Sequence, residues 1–344
     1  MQQISRAATL ALAVSASLVL AACGGGGGGS VGTTTTTTTT TTGGSPTPTT
    51  TAASTTLASP QYASGSPELA AFQKVNADRA QCGFPALQEN TLLDQAAQNH
   101  MTYMQDNAYV GHDETSGLPG YTGATPYARF MALGYFNGAA SSYAIEENGG
   151  YLTNPGGANA ITGLESVPYH LAFLMQDVNN FGATYNTVVL GPLATVYVPE
   201  FTLGYAGTAP KMGTTNTPLT FPCQGTTGVD YESAATENPG PLGINTGTNP
   251  IGTPIAVVGN WGDTITLSSV TISDTATGAN VPSVDMLDST TDSNQELNSN
   301  EAVAFPASPL APNTSYMATV VGTDNGVSFS EQFTFTTGSL GKIN

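Results

Sequence analysis

"SPELAAFQKVNADRAQCGFPALQENTLLDQAAQNHMTYMQDN", residues 66–107, reads as two helices in succession. Ser66 offers a hydroxyl to the first free amides, and Pro67 sits where its fixed φ suits the first turn. Leu69, Phe72 and Val75 recur at helical spacing, and Gly83 ends the run. Leu93, Ala96, Ala97, Met101 and Met104 then line one face of a second helix. Both stripes need a surface to cover, and the next hundred residues supply it. "TPYARFMALGYF" (125–136) repeats the Thr-Pro start and stops near Gly134, and a further helical stretch runs from about 161 to 175, interrupted at Pro168. Strand candidates follow the same order: "SYAIEEN" (142–148), "FGATYNTVVL" (181–190) and "TVYVPEFTLGYA" (195–206). Helices and strands mix without regular βα alternation, so the expected class is α+β rather than a doubly wound sheet.

From about residue 225 the pattern changes. "ITLSSVTI", "VPSVDML", "EAVAFP", "SYMATVVGT" and "VSFSEQFTFTT" are short β-rich runs between turn residues, with Val327, Phe329, Phe333 and Phe335 at strand period. Trp261, the single tryptophan, precedes them. An all-β sandwich over 225–344 is expected. Its ending, "LAPNTSYMATVVGTDNGVSFSEQFTFTTG", resembles the last strands of bacterial Ig-like domains.

The start of the chain is of another kind. Residues 1–22 carry Arg6 and then an apolar run, the pattern of a signal peptide, too short for a confident membrane span. "LAAC" resembles a bacterial lipobox, which makes Cys23 the expected lipidated N-terminus, with acyl methylenes each contributing about 0.8 kcal/mol of membrane affinity. Residues 23–62 hold a glycine tract, ten consecutive threonines and a Pro/Thr segment. With few apolar side chains to bury, they read as a disordered tether, spanning on the order of 35 Å as a coil. If Cys23 takes lipid, Cys82 and Cys223 are left, and in an oxidising compartment they read as a disulfide.

A net charge of −18, with only six lysines and arginines, excludes a phosphate-neutralising surface. Nucleic acid is therefore not an expected partner, and an anionic membrane would hold the chain only through lipid. No HExxH, Walker loop, dinucleotide fingerprint or CxxC pair occurs.

Residues 66–205 resemble the CAP superfamily (cysteine-rich secretory, antigen 5 and pathogenesis-related proteins; SCP-like), in its bacterial secreted branch. Four stretches carry the resemblance in order: "VNADRAQCGFPALQENTLLDQAAQNHMTYM" with Asn76, Arg79, Gly83 and Leu87; "GHDETSG" with His112; "ARFMALGY" and "AIEENGG" with Arg129 and the pair Glu147-Asn148; and "VPYHLAFLMQDVNNFGATY" with His170. The resemblance implies a three-layer α-β-α sandwich over 63–224, with two histidines and acids converging in a cleft that often holds a divalent metal. By position, His112 and His170 are the imidazoles and Glu147 the acid, as metal ligands or as candidate catalytic groups. Two imidazoles and a carboxylate leave a fourth position open on zinc or another divalent ion. The fourth acid stays open among Glu165, Asp113 and Glu146. Leu164 stands where the family has tryptophan, and Leu171 where it has a basic residue, which weakens any inherited activity more than the fold.

Other charged residues have plainer readings. His100 lies among apolar helix positions and reads as a packed core histidine, Arg129 as a structural salt-bridge partner, and Asp113 and Glu114 as solvated loop acids. Three functions compete. The favoured one is an envelope-anchored lipoprotein, facing the periplasm or exterior, whose cleft binds a small molecule, lipid or peptide without turnover. The second is a metal-assisted hydrolase acting on peptides or cell-wall material. The third is an adhesin-like structural protein with a vestigial cleft.

Overall fold

The computed structural model describes residues 55–339 apart from 138, 140, 193, 213–215 and 234. The expected signal peptide, Cys23 and most of the tether lie outside the described residues.

The first module runs α1 (Pro67–Gln81), β1 (Gln88–Glu89), α2 (Thr91–Asn107), α3 (Pro126–Ala132), β2 (Ser142–Asn148), α4 (Gly156–Glu165), α5 (Pro168–Met175), β3 (Asn180–Val189) and β4 (Thr195–Ala206). The expected starts are there: Ser66 Oγ accepts from the Leu69 amide at 3.2 Å, and Thr125 Oγ1 accepts from the Ala128 amide at 3.3 Å. One expected helix over 161–175 is two. The first begins at Gly156, and Val167, extended before Pro168, separates it from the second. The early start needs glycine. A Cβ on Gly157 would overlap the Pro67 carbonyl oxygen, so its absence lets α4 lie against α1.

The four strands form one sheet in the order β1-β3-β4-β2, with β1 parallel to β3 and the other pairs antiparallel. Successive side chains alternate faces. Phe181, Phe201, Leu203 and Tyr205 join the α1 and α4 residues Ala71, Phe72, Ala160 and Ile161 in one apolar cluster. On the other face, Gly182 and Thr202 meet Leu93 of α2. Helices thus cover both faces of the sheet, the α-β-α arrangement expected.

The second module is a β sandwich. Its strands are β5 (Leu219–Phe221), β6 (Thr226–Val229), β7 (Ile255–Val258), β8 (Ile265–Asp274), β9 (Val284–Asp288), β10 (Glu301–Pro306), β11 (Ser315–Asp324) and β12 (Val327–Thr337). They form two four-stranded sheets, β5-β7-β10-β9 and β6-β12-β11-β8. Phe329, Phe333 and Phe335 are buried as expected, while Val327 is exposed. Tyr316 accepts from the Ala311 amide at 2.8 Å, closing the corner before the last hairpin.

Two boundaries move. The tether is expected over 23–62, yet residues 55–62 already lie on the first module. Thr56 bridges Asn90, the Leu57 amide donates to the Glu89 carbonyl at 2.8 Å, and the Tyr62 hydroxyl donates to Asp94 at 2.7 Å. Aromatic contact explains this: Tyr62 packs on Phe72 and Phe181. The second module is expected from 225, yet Leu219–Phe221 already pairs with β7. Cys82 and Cys223 form a disulfide across 141 positions of sequence. Among the described residues no helix is long and apolar enough to cross a membrane.

Candidate functional site

The site gathers at the edge strand β2, where two adjacent acids point to opposite faces. Glu146 stands opposite Thr202 and turns toward α2 and α3; Glu147 stands opposite Phe201 and turns toward α5. The loop between α2 and α3 wraps this edge and carries His112. Arg129 of α3, fully buried, holds that loop in place. Its Nη2 donates to the His112 carbonyl at 3.0 Å and lies 2.6 Å from both oxygens of Glu146.

Three imidazoles and five acids meet around this frame. His112 Nε2 is 3.7 Å and His170 Nε2 3.1 Å from Glu147 Oε2. Behind the rings stand two more carboxylates. His112 Nδ1 lies 3.5 Å from Glu146 Oε1, an ion-pair distance without hydrogen-bond geometry, and His170 Nδ1 lies 3.0 Å from Glu237 Oε1. Deeper in, His100 is fully buried, with Nδ1 2.9 Å from Glu114 and Nε2 2.6 Å from the Gly111 carbonyl. His100, Glu146 and Glu200 bring one ligand atom each within 4.8 Å of one another. The side chains of His112, Glu147 and His170 keep 24, 16 and 13% exposure, so this group opens to solvent while the deeper one does not.

Residues 72–185 match the model of the cysteine-rich secretory protein family, CAP. This stretch is a CAP domain. Two solved structures are similar to the chain. One is an extracellular protein containing an SCP domain from Bacillus anthracis, with 21% identity over 39% of this chain and 39% of that one and a TM-score of 0.29. The other is an outer surface protein from Borrelia burgdorferi, with 12% identity over 39% of this chain and 89% of that one and a TM-score of 0.29. The chain thus spans well under half of the first of these. No curated protein matches the chain.

Charge in the CAP cleft follows from burial and its partners. Burial opposes ionisation of Glu146, but Arg129, then His100 and His112, hold its carboxyl well below the usual range. Burial likewise opposes Glu147, and His170 and then His112 pull it down. Burial works against His170, yet Glu147 and then Glu237 raise it to about 10, and the same balance raises His112 through Glu146 and Glu147. Glu200 goes the other way. Burial, then the negative charge of Glu146, pushes it far up, and neither of its oxygens has a hydrogen-bond partner.

A cation has two candidate places. The His100 group does not fit one: both His100 nitrogens are spent on protein oxygens, and Glu146 is already neutralised by a guanidinium. The outer group has the donor types a cation takes. Its donors are two imidazole nitrogens and a carboxylate, each imidazole has a carboxylate against its other nitrogen, and His112 Nδ1 is buried without a hydrogen bond.

Of the acids open for the fourth place, Glu146 stands against His112. Glu165 is drawn away by Lys74 at 3.1 Å, and Asp113 sits half-buried beside His112. Sequence reading missed three acids. Glu114, expected as a solvated loop acid, is buried and accepts from the amides of Thr122 and Gly123 at 2.6 and 3.1 Å. Glu200 had a signal, a lone charge in an apolar strand. Glu237, in a turn-rich stretch outside the CAP resemblance, had none.

Proposed function

We propose that the CAP cleft captures a ligand rather than turning one over, and that it holds a divalent cation, zinc by its donor chemistry, on His112, Glu147 and His170. The observation carrying this reading is that both Nε2 atoms flank one Glu147 oxygen while a carboxylate stands against each Nδ1. A carboxylate in that position orients an imidazole toward a metal. When bound, the ion would supply an electrophilic point for a carboxylate, phosphate or carbonyl of a small molecule, lipid or peptide. The limited exposure of the three side chains suits an ion and one small polar group.

Binding is favoured over hydrolysis because a general base works best with a pKa near the working pH. Burial opposes ionisation of Glu147, but His170 and then His112 lower it from its ordinary value, away from the working pH. The chain's address belongs to the same proposal: a lipid anchor at Cys23, a Gly/Thr-rich tether, and the two modules displayed at the bacterial envelope. The lipobox-like "LAAC" and the Cys82–Cys223 disulfide support it.

Elemental analysis and calorimetric titration of the full chain with zinc chloride test the cleft. One equivalent should bind, with affinity at least ~10-fold weaker in His112→Ala and in His170→Ala. No zinc binding by the wild type would overturn the reading. Zinc-dependent turnover of a peptide or cell-wall fragment, lost in both variants, would establish the hydrolase instead.

A further inference from the structure

His170 is held by a residue from outside the CAP domain. Glu237 lies 67 positions further along the chain, between β6 and β7. It is 3% exposed. Its Oε1 accepts from the Tyr169 amide at 2.7 Å and the His170 amide at 3.0 Å, and lies 3.0 Å from His170 Nδ1. One oxygen therefore closes the start of α5 and fixes the ring of its third residue.

The loop carrying Glu237 is built to present it. The Glu237 amide donates to Thr246 Oγ1 at 2.9 Å, and that hydroxyl donates to the Ala235 carbonyl at 3.0 Å. Ser233 binds both ends of the same loop: its amide donates to the Ile251 carbonyl at 2.9 Å, and its hydroxyl to the Thr246 carbonyl at 3.2 Å. Ile251 then packs with Leu287, Leu297, Val303 and Phe305 of the sandwich and with Tyr169 and Ala172 of α5. The Tyr169 hydroxyl donates to Asp292 at 2.6 Å, a second polar tie across the same contact. The loop is thus anchored on the sandwich while its acid reaches the cleft.

We infer that the cleft is a two-module site: the sandwich supplies Glu237 as a positioning residue, and the CAP domain alone lacks the carboxylate that aims His170 Nε2 at Glu147. The sandwich is then part of the binding apparatus, not a spacer. Glu165, one of the acids that the CAP stretch itself supplies, is turned to Lys74, and Glu146 serves His112, which leaves the place behind His170 to Glu237.

Only three histidines occur in the chain, so the full chain labelled with ¹⁵N-histidine gives a spectrum assignable by single substitutions. In the metal-free wild type, the His170 Nδ1–H should be slow to exchange and shifted by its bond to a carboxylate. Glu237→Gln keeps an acceptor of the same shape without the charge. It should move that resonance and speed its exchange while leaving those of His100 and His112 in place. Tyr169→Phe cuts the neighbouring tie to Asp292 and should leave the His170 resonance unmoved. Zinc titration should show affinity falling about 10-fold in Glu237→Gln. The zinc measurement rests on the cleft reading above, whereas the ring resonance does not, so a chain that binds no zinc still tests the placement. An unmoved His170 resonance in Glu237→Gln, or an equal change in Tyr169→Phe, overturns the inference.

Discussion

Arg129 does at one point what a lysine would not. Its Nη2 meets both oxygens of Glu146 at 2.6 Å and the His112 carbonyl at 3.0 Å while its Nη1 donates to the Gly123 carbonyl at 3.4 Å, so one buried guanidinium neutralises Glu146 and pins the loop beside it at two points. His170 shows the consequence of charge at the other side of the strand. Its folded-state pKa, about 10, lies above the ordinary 6.5. The folded chain therefore holds that proton more tightly than the unfolded one. The stability this contributes is complete below pH 6.5 and is lost as pH rises through 10. Urea unfolding at pH 7, 8.5 and 10, without metal, should show the wild type losing more stability over that window than His170→Gln. Parallel losses in the two chains would count against the ion pairs with Glu147 and Glu237.

At the scale of elements, close approach decides the layers. α1 and α4 meet where Gly157 faces the Pro67 carbonyl, and α2 meets β3 where Gly182 faces the Leu93 backbone. Neither position has room for a methyl group. Gly157→Ala should destabilise the chain by about 3 kcal/mol, the upper part of the overpacking range, because a backbone carbonyl must move. The denaturation midpoint measures this, and a shift under about 0.5 kcal/mol, the scatter of neutral surface changes, would show that α4 slides freely on α1. The same packing explains why α4 begins before its apolar pattern does: its first turn opens on two glycines, poor helix formers, of which Gly157 makes the contact with Pro67 and Gly156 takes a left-handed φ of +69°.

Across the whole molecule, the two modules share their interior. One apolar cluster runs from Ala71 and Phe181 through Ile255 to Phe333 and Phe335, and Trp261 packs on Tyr143 and Tyr205 of the CAP sheet at 4.8 and 5.5 Å. The Cys82–Cys223 disulfide ties the end of α1 to the entry of the sandwich and closes a loop worth about 5 kcal/mol in the chain-entropy model. Scanning calorimetry of the oxidised full chain should therefore give one cooperative transition. Two resolved transitions would mean that the modules unfold separately.

The amino-acid sequence by itself determined the α+β class, helices α1 to α3 with the caps of the first and third, the long strands, the cysteine pair and the ordered residues that mark a CAP domain. Each is encoded locally, by period, by a cap or by a spacing. Tertiary structure alone decided which acid stands behind which imidazole. Glu146 and Glu147 are neighbours in the chain, yet the strand's alternation sends them to opposite faces of the sheet. Glu114 is buried because the backbone amides of Thr122 and Gly123 fold back onto it, and Glu237 reaches His170 from another module. Such meetings depend on how layers stack and where chain ends return in space, and no periodicity within a single segment records that.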